Sequence, residues 1–236
     1  LQNDALFRFR EIFNMIEIDG SYAEGGGQIL RTAIGLSVCT GKDVRIFNIR
    51  AKRPNPGLRP QHLEGIKAAA RLCNAELRGA EIGSKEIVFK PGKTFQDKLR
   101  INIATAGSVG LIFQILKIAA LVCDQLHVEI EGGATFGKFA PPLLYTKHVL
   151  LPFMRMIGYD AEIEIIRHGF YPKGGSKCRF AFYKPEKLKA ISLLEREGKG
   201  VKGVSIATKH LQDRKVADRQ ADEAKKILQD FEPEIE

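Results

Sequence analysis

The chain has 236 residues, of which 44% are hydrophobic and 28% are charged. This balance is typical of a globular protein with a sizeable core and excludes a disordered chain. No run of about 18 apolar residues occurs, which argues against a transmembrane helix. The formal net charge of +9 lies entirely in residues 15–185, because residues 1–14 and 186–236 each contain equal numbers of acidic and basic residues. A basic excess in the body of the chain favours an anionic partner such as nucleic acid or polyphosphate.

The termini and cysteines give only general expectations. Residues 1–14 precede Met15 and lack the three regions of a signal peptide, so we expect them to be an N-terminal extension. The four cysteines are widely spaced and form no CxxC pair, which argues against a zinc site and a disulfide scaffold. We therefore expect a reducing, cytoplasmic setting.

The body of the chain contains a repeated order of elements. In residues 15–95 the hydrophobic periodicity predicts strand, helix, strand, helix, strand, strand. The predicted strands are 16–19, 44–50, 75–79 and 86–92, and the predicted helices are 25–39 and 61–73.

Residues 96–185 repeat this order. The predicted strands are 99–106, 126–132, 161–169 and 177–185, and the predicted helices are 108–123 and 141–158. Pro152 predicts a kink in the last helix, and the last two strands are expected to pair around a YPKGG turn. Repeated βαβαββ units, each with two helices on a four-stranded sheet, predict an α/β (α+β layered) fold.

Residues 186–236 are expected to begin a third unit or a small α/β insert domain that does not finish. The segments LKAISLLERE and KGVSIATKH are strand-like, and residues 213–231 predict an amphipathic helix. Its apolar side is formed by Val216, Ala224, Ile227, Leu228 and Phe231. No strands are expected after this helix.

The first candidate site is EGGGQ, residues 24–28. Gly25, Gly26 and Gly27 open a helix, where backbone N–H groups approach a phosphate and the helix dipole favours an anion. Glu24 beside them is placed to hold a divalent cation for a bound nucleotide. The segment matches neither GxxxxGK[ST] nor GxGxxG, so a simple glycine turn that caps the helix stays an alternative.

The second candidate site is the basic loop of residues 50–62. Its cationic side chains are Arg50, Lys52, Arg53 and Arg59. Three prolines stiffen this loop and preorganise the guanidinium groups for bidentate contacts with phosphate oxygens. Gln61 and His62 open the following helix and are expected to face the same region. A solvated charged loop is the alternative, and for His62 alone it is a capping or surface role.

The third candidate site is ATAGSVG, residues 104–110, the counterpart of the glycine turn in the second unit. Gln114 lies one helical turn further on among apolar residues. A buried amide needs hydrogen-bond partners. Two interpretations of Gln114 are equally open: a contact with a ligand, or a tie between helix and strand.

An apolar slot for a flat base is the fourth candidate. It is predicted in GGATFGKFAPP, residues 132–142, from Phe136, Phe139, Pro141 and Pro142. Stacking on an aromatic ring contributes about 1–3 kcal/mol per base. Core packing at a loop-to-helix junction is at least as compatible with the composition.

Together these motifs resemble the RNA 3′-terminal phosphate cyclase family. The resembling segments are IEIDGSYAEGGGQILRTA, RAKRPNPGLRPQHLEGIKAA, ATAGSVGLIFQIL, GGATFGKFAPP and RHGFYPKGG. The resemblance covers residues 15–185 well and 186–231 more loosely. It implies a fold of repeated units with two helices and a four-stranded sheet, plus a small inserted α/β domain.

The resemblance implies an ATP-dependent reaction on RNA that ends in a 3′-phosphate, with Mg²⁺ or Mn²⁺ as divalent metal and without a membrane. In such a reaction a histidine of the enzyme is adenylylated, AMP passes to the 3′-phosphate, and the 2′-OH attacks to give a 2′,3′-cyclic phosphate. The resemblance assigns catalytic roles to Glu24, Arg50, Arg53 and His62, with Glu24 near the metal; phosphate or RNA contacts to Gly25, Gly26, Gly27 and Gln61; and nucleotide contacts to Gln114, Phe139, Pro141 and Pro142.

The same resemblance implies that the nucleophilic histidine lies beyond position 236. No residue of this sequence is therefore assigned that role, and the sequence resembles the N-terminal two-thirds of a cyclase. Two other functions stay open. One is a non-catalytic, cyclase-like protein of RNA binding or ribosome assembly, and the other is an enolpyruvyl-transferase-like enzyme that acts on a phosphorylated metabolite.

Overall fold

A computed structural model describes residues 15–137, 140–195 and 200–236. The predicted extension, residues 1–14, lies outside the described residues, and so does Phe139. The chain divides after Lys189 into two compact units. No helix in the described part of the chain has the length and apolar character needed to cross a membrane.

The first repeat forms a four-stranded sheet with two helices. Its elements are β1 (Ile16–Asp19), α1 (Gly27–Thr40), β2 (Val44–Phe47), α2 (Pro60–Cys73), β3 (Glu76–Arg78) and β4 (Ile87–Lys90). The sheet order is β1-β2-β4-β3, with β1 parallel to β2 and the other pairs antiparallel. Helix α1 ends where Gly41 adopts the left-handed conformation and its N–H donates to the carbonyl oxygen of Ser37.

The second repeat has the same topology. Its elements are β5 (Lys98–Ser108), α3 (Val109–Ala119) with a 3₁₀ turn (Ala120–Val122), β6 (Gln125–Ala134), α4, β7 (Ala161–Arg167) and β8 (Lys177–Tyr183). The sheet order is β5-β6-β8-β7, with β5 parallel to β6 and the other pairs antiparallel. The layered α/β fold with four-stranded sheets is therefore confirmed. The domain boundaries after residues 95 and 185 stay predictions.

Helix α4 is irregular at the predicted place. It consists of Leu143–Tyr145, a π-helical segment Thr146–Leu150, and Leu151–Met156. The N–H of Leu151 donates to the carbonyl oxygen of Thr146, five residues earlier. Pro152 has no N–H to continue the ladder, so the widened turn immediately before it is the form that the expected irregularity takes.

One hydrophobic core joins both repeats. Helices α1, α2 and α3 pack on one another, and the buried residues of both sheets belong to the same cluster. A Cβ atom at Gly65 of α2 would collide with the side chain of Ile115 in α3, so glycine lets these two helices approach. On the other side of α3, the ring of Phe113 lies 5.3 Å from Phe180 and 5.1 Å from Phe182 of the second sheet. Helix α3 is thus shared between the two repeats.

The predicted glycine turn in ATAGSVG is wrong. Strand β5 continues through Gly107 to Ser108, which pairs with Ala134 after an irregularity that begins at Ile103. The strand extends because β6 is also longer than predicted and offers partners as far as Ala134. Gly107 therefore belongs to the end of a strand and does not open a helix turn as Gly25–Gly27 do.

The second compact unit, Ala190–Glu236, is a small β–α–β element. It contains β9 (Val201–Gly203), α5 (Val216–Ile227) and β10 (Pro233–Ile235), with β10 parallel to β9. A strand does follow the helix, contrary to the prediction, because residues 233–235 pair with β9. Pro233 occupies the strand's first position, where the missing N–H is tolerated.

Two other expectations for this region are wrong. Residues 188–195, the described part of LKAISLLERE, form no strand. Leu194 is 92% exposed there, and a strand-like pattern without a pairing partner does not become a strand. The helix also ends at Ile227, which is 73% exposed, so the predicted apolar side that continues to Phe231 is not buried as a stripe.

Candidate phosphate-binding site

Two loops meet at one edge of the first sheet because they follow the carboxyl ends of the parallel strands β1 and β2. Asp19 joins them: its Oδ1 accepts hydrogen bonds from the N–H of Ser21 at 2.9 Å and from Nδ2 of Asn48 at 3.2 Å. The hydrogen bonds from Ser21 and then Asn48 hold the pKa of Asp19 below its ordinary value. Lys52 Nζ also donates to the carbonyl oxygen of Ala23 at 3.2 Å, a second tie between the loops.

The basic loop is held in a strained conformation. Arg50 has a φ of +55°, in the left-handed region that costs an ordinary residue about 1–2 kcal/mol. The turn between β3 and β4 supports the loop: Leu58 N–H donates to Ser84 O at 2.9 Å, and Gly83 N–H donates to Leu58 O at 2.8 Å. Such strain persists where the surrounding structure fixes it, and it is typical of functional sites.

His62 lies at the centre of the site and is only 3% exposed. Its Nδ1 accepts a hydrogen bond from the N–H of Arg59 at 3.2 Å, which assigns the ring proton to Nε2. Nε2 lies at the first turn of α1, since a Cβ atom at Gly27 would be only 2.5 Å from it. Glycine at this position therefore lets the imidazole donor reach the N-terminus of α1, where helix N–H groups have no intrahelical partner.

Arginines surround this imidazole. Burial, and then the positive charges of Arg50, Arg31 and Arg59, lower the pKa of His62 to about 4. The ring is therefore neutral at pH 7. Burial and the nearby Arg59 and Arg53 also lower the pKa of Arg50. Guanidinium groups that repel one another around a neutral donor favour the binding of an anion, because the anion relieves the repulsion.

Arg31, which was not among the predicted site residues, also belongs to the site. Its Nε donates to Oε1 of Gln114 at 2.9 Å and its Nη2 donates to Oε1 of Gln28 at 3.2 Å. Burial lowers the pKa of this arginine. The sequence does contain a clue to this residue. Arg31 is a cation near the start of a largely apolar helix, where the helix dipole disfavours positive charge, and such a position suggests a functional role.

Gln114 is half-buried and ties its helix α3 to helix α1 through Arg31. Of the two interpretations left open, the structural one takes the form of a tie between helices and not to a strand, while the contact with a ligand stays a prediction. This contact brings a residue of the second repeat to the histidine and arginines of the first.

Glu24 lies at the exposed rim of the site. Its Oε2 is 3.1 Å from Nη2 of Arg53, and its side chain is 88% exposed. Among the residues that the structure describes, no group of three or more His, Cys, Asp and Glu side chains is arranged to hold a metal ion. A single exposed carboxylate suits Mg²⁺ or Mn²⁺ that takes its other oxygen ligands from phosphates and water.

Gln61 connects the site to the second repeat. It is exposed, and a Cβ atom at Gly107 would lie 3.6 Å from its Cβ. The end of β5 in the second sheet therefore lies beside Gln61.

Of the predicted base slot, Phe136, Pro141 and Pro142 belong to the described residues. Phe136 stacks on Phe170, which the sequence analysis did not single out, with ring centroids 5.4 Å apart. Pro141 and Pro142 are exposed, and a Cβ atom at Gly110 in the first turn of α3 would lie 3.1 Å from the carbonyl oxygen of Pro141. Pro141 thus lies at the N-terminal end of α3, whose middle residue is Gln114.

Comparisons with known proteins identify the family of the chain. The profile of the family described as RNA 3′-terminal phosphate cyclase matches residues 22–224. Proteins named RNA 3′-terminal phosphate cyclase are 46% identical over 94% of the chain in Methanopyrus kandleri and 48% identical over 92% in Archaeoglobus fulgidus. A bacterial protein of the same name, from Nitrosospira multiformis, is 45% identical over 84% of the chain.

The chain spans 64%, 65% and 57% of the length of these three relatives, respectively. The profile match covers well over half of the chain and includes the arginine-rich site, the whole second repeat and all elements of the first repeat except β1. The chain therefore belongs to the RNA 3′-terminal phosphate cyclase family.

Proposed function

We propose that this chain binds the phosphorylated 3′ end of RNA for ATP-dependent conversion to a 2′,3′-cyclic phosphate. The observation that carries the proposal is the neutral, buried His62 among Arg31, Arg50 and Arg59 at the N-terminus of α1. The names of the relatives supply the substrate class.

The terminal phosphate is expected to lie between His62 and the arginines. His62 Nε2–H and the first N–H groups of α1 donate to its oxygens, while Arg50 and Arg59 neutralise its charge. Because His62 stays neutral, it adds a directed donor without a further positive charge. Gln61 contacts the same phosphate or the adjoining ribose from the exposed start of α2.

ATP and a divalent ion fit the donor set of this site. When bound, ATP supplies the adenylyl group that turns the terminal phosphate into an electrophile. Glu24 would hold the divalent ion together with phosphate oxygens, and Arg53 keeps the carboxylate at the rim. Gln114, whose Oε1 accepts a hydrogen bond from Arg31, offers its amide N–H groups to the nucleotide. Pro141, Pro142 and Phe139, the last outside the described residues, are proposed as further nucleotide contacts.

Two other functions predict different ligands. An enolpyruvyl transferase would bind a small phosphorylated metabolite in preference to an RNA end, and the family membership argues against it. A non-catalytic RNA-binding relative would bind RNA without distinguishing a 3′-phosphate from a 3′-hydroxyl. Terminal-phosphate selectivity is therefore the decisive property.

The test compares binding of one oligoribonucleotide that ends in a 3′-phosphate or a 3′-hydroxyl, by fluorescence anisotropy. We expect at least about tenfold preference for the phosphate, worth about 1.4 kcal/mol. Gly27→Ala should abolish this preference, because the new methyl group displaces His62 and Arg31. Gly200→Ala in the second compact unit is the matched control, since its Cβ would meet no atom closer than 4.0 Å. Equal affinity of the unaltered chain for both ends would contradict the proposal.

A further inference from the structure

The second repeat carries a turn, residues 168–175, in which Phe170 packs on Phe136 of the predicted base slot, whereas Tyr171 and Lys173 have no role assigned above. We propose that this turn binds the RNA strand upstream of its 3′ end, with Tyr171 stacking on a base and Lys173 contacting a phosphate. The inference rests on the proposed function, because it takes the terminal phosphate to lie beside His62.

The turn is rigid. The backbones of Phe170 and Gly174 exchange two hydrogen bonds, of 3.3 and 2.6 Å. Arg167 Nε donates to the carbonyl oxygen of Gly175 at 2.8 Å. A Cβ atom at Gly174 would lie 3.0 Å from the carbonyl oxygen of Thr105, so the turn is packed against the end of β5. A preorganised surface loses little conformational entropy when it binds a ligand.

Tyr171 stands out from this turn and is 82% exposed. The preceding Phe170 points the other way and stacks on Phe136, with an interplanar angle of 4°. His168 lies 5.6 Å from Phe136 and hydrogen-bonds to Thr135 through Nδ1 at 3.0 Å. Packed rings therefore fix the base of the turn and leave one tyrosine in solvent, the arrangement that single-stranded nucleic acid uses for stacking.

A continuous surface leads from the phosphate site to this turn. Gln61, next to His62, contacts the position of Gly107, and the N–H of Gly107 donates to Oγ1 of Thr105 at 3.3 Å. The carbonyl oxygen of Thr105 in turn lies against Gly174. An RNA chain held by its terminal phosphate thus reaches Tyr171 along a few residues of protein surface.

The charges around the turn fit RNA better than a protein partner. Lys173 and Lys177 are exposed, and Lys147 is close enough to His168 to lower its pKa further, after the effect of burial. Glu131 faces Lys177 across the β6–β8 ladder. A lone exposed aromatic residue among lysines differs from the core of a protein–protein interface, where lysine is depleted.

The test compares the affinities of RNAs of two lengths, both with a 3′-phosphate: a dinucleotide and an oligomer of about ten nucleotides. We expect Tyr171→Ala to weaken binding of the longer RNA about tenfold and to leave the dinucleotide within about twofold, as loss of one stacked base predicts. Tyr171→Phe should restore the affinity for the longer RNA. Lys173→Ala should reduce the slope of log affinity against log salt by about 0.7 for the longer RNA.

Phe95→Ala is the control, because Phe95 is a 41% exposed aromatic residue that precedes β5, at the end of the sheet opposite the turn. Unchanged affinity of Tyr171→Ala for the longer RNA would overturn the inference and leave the turn to a protein partner. An equal loss with both RNAs would also overturn it, since the turn would then shape the terminal-phosphate site. If the unaltered chain does not prefer a 3′-phosphate, the proposed function fails. The affinity of Tyr171→Ala for 3′-hydroxyl RNA then still shows whether the turn binds the RNA strand.

Discussion

The two repeats have the same sheet order and the same order of helices, but their corresponding edges carry different chemistry. In the first repeat this edge holds Arg50 and Arg59 near a buried histidine, with Arg53 close to Arg50. In the second repeat the same edge holds the packed rings of Phe136 and Phe170 and an exposed tyrosine. The repeated scaffold therefore fixes where loops lie, and the loop sequence alone decides which ligand an edge suits.

The hairpin turns of the two repeats support different partners. The turn between β3 and β4 hydrogen-bonds to Leu58 and holds the basic loop. The turn between β7 and β8 hydrogen-bonds to the end of β6, where Ser176 N–H donates to Gly133 O at 3.1 Å. Each hairpin thus stabilises a different part of its repeat: the loop after β2 in the first repeat, and the end of β6 in the second.

The comparison would fail most clearly if the repeats folded independently. Phe113→Ala should lower the free energy of unfolding by about 3–5 kcal/mol, because it empties a fully buried site between α3 and the second sheet. Since α1 and α2 pack on α3, hydrogen exchange should accelerate in β2 as well as in β6. Leu36→Ala, at a 48% exposed position of α1, is the control with a much smaller effect. Faster exchange in β6 alone would mean that the repeats unfold separately.

The pH dependence of stability should separate the buried histidine of the first repeat from the other titrating groups. The pKa of His62 falls from the ordinary 6.5 to about 4 on folding, so the unfolded chain takes up a proton first as pH falls. Its contribution is fully present above pH 6.5 and disappears as the pH approaches 4, a loss of up to about 3 kcal/mol.

His62→Asn keeps an acceptor for the N–H of Arg59 but does not titrate. Urea unfolding at several pH values should therefore show a shallower decline for this variant than for the unaltered chain. Because His168 also has a lowered pKa, the difference between the two proteins isolates the effect of His62. Parallel curves would contradict the assignment.

Two double variants show whether RNA affinity depends on the position of the arginines or only on the total charge of the chain. Arg50→Ala with Arg53→Ala should weaken binding of a 3′-phosphate RNA by about 100-fold and reduce its salt slope by about 1.4. The control is Arg100→Ala with Arg179→Ala, which removes the same charge from ion pairs with Glu129 and Glu164 on the second sheet. Equal losses in the two double variants, measured by anisotropy across a salt series, would mean that net charge alone drives binding.

The smallest expected effect concerns the rim of the first site. Glu24→Gln should weaken the Mg²⁺-dependent part of ATP binding about tenfold, because a divalent ion needs the carboxylate oxygen. RNA affinity and stability should hardly change, since the ion pair with Arg53 is exposed. Calorimetric titration with and without Mg²⁺ measures this, with Glu129→Gln as control. Equal loss of ATP and RNA affinity would argue against a metal role.

Much of the fold could be predicted because the hydrophobic periodicity and the positions of proline and glycine agree with the observed helices and strands. Strand Ile16–Asp19 was predicted without error, and helix Pro60–Cys73 within one residue, since Pro60 suits a first helical turn. Predictions failed where pairing partners decide the state. Gly107 extends a strand because β6 accompanies it, and residues 188–195 form no strand because no neighbour pairs with them.

For the candidate site, the sequence by itself determined the residue types: glycines that open a helix, a stiff arginine-rich loop, and a histidine at the start of the next helix. Only the tertiary structure decided that Arg31 and Gln114, 83 residues apart, bond across two helices and that His62 is buried against Gly27. The physical reason is that local pattern sets helix and strand, whereas burial, charge crowding and the lowered pKa of His62 arise when separate loops are packed at one sheet edge.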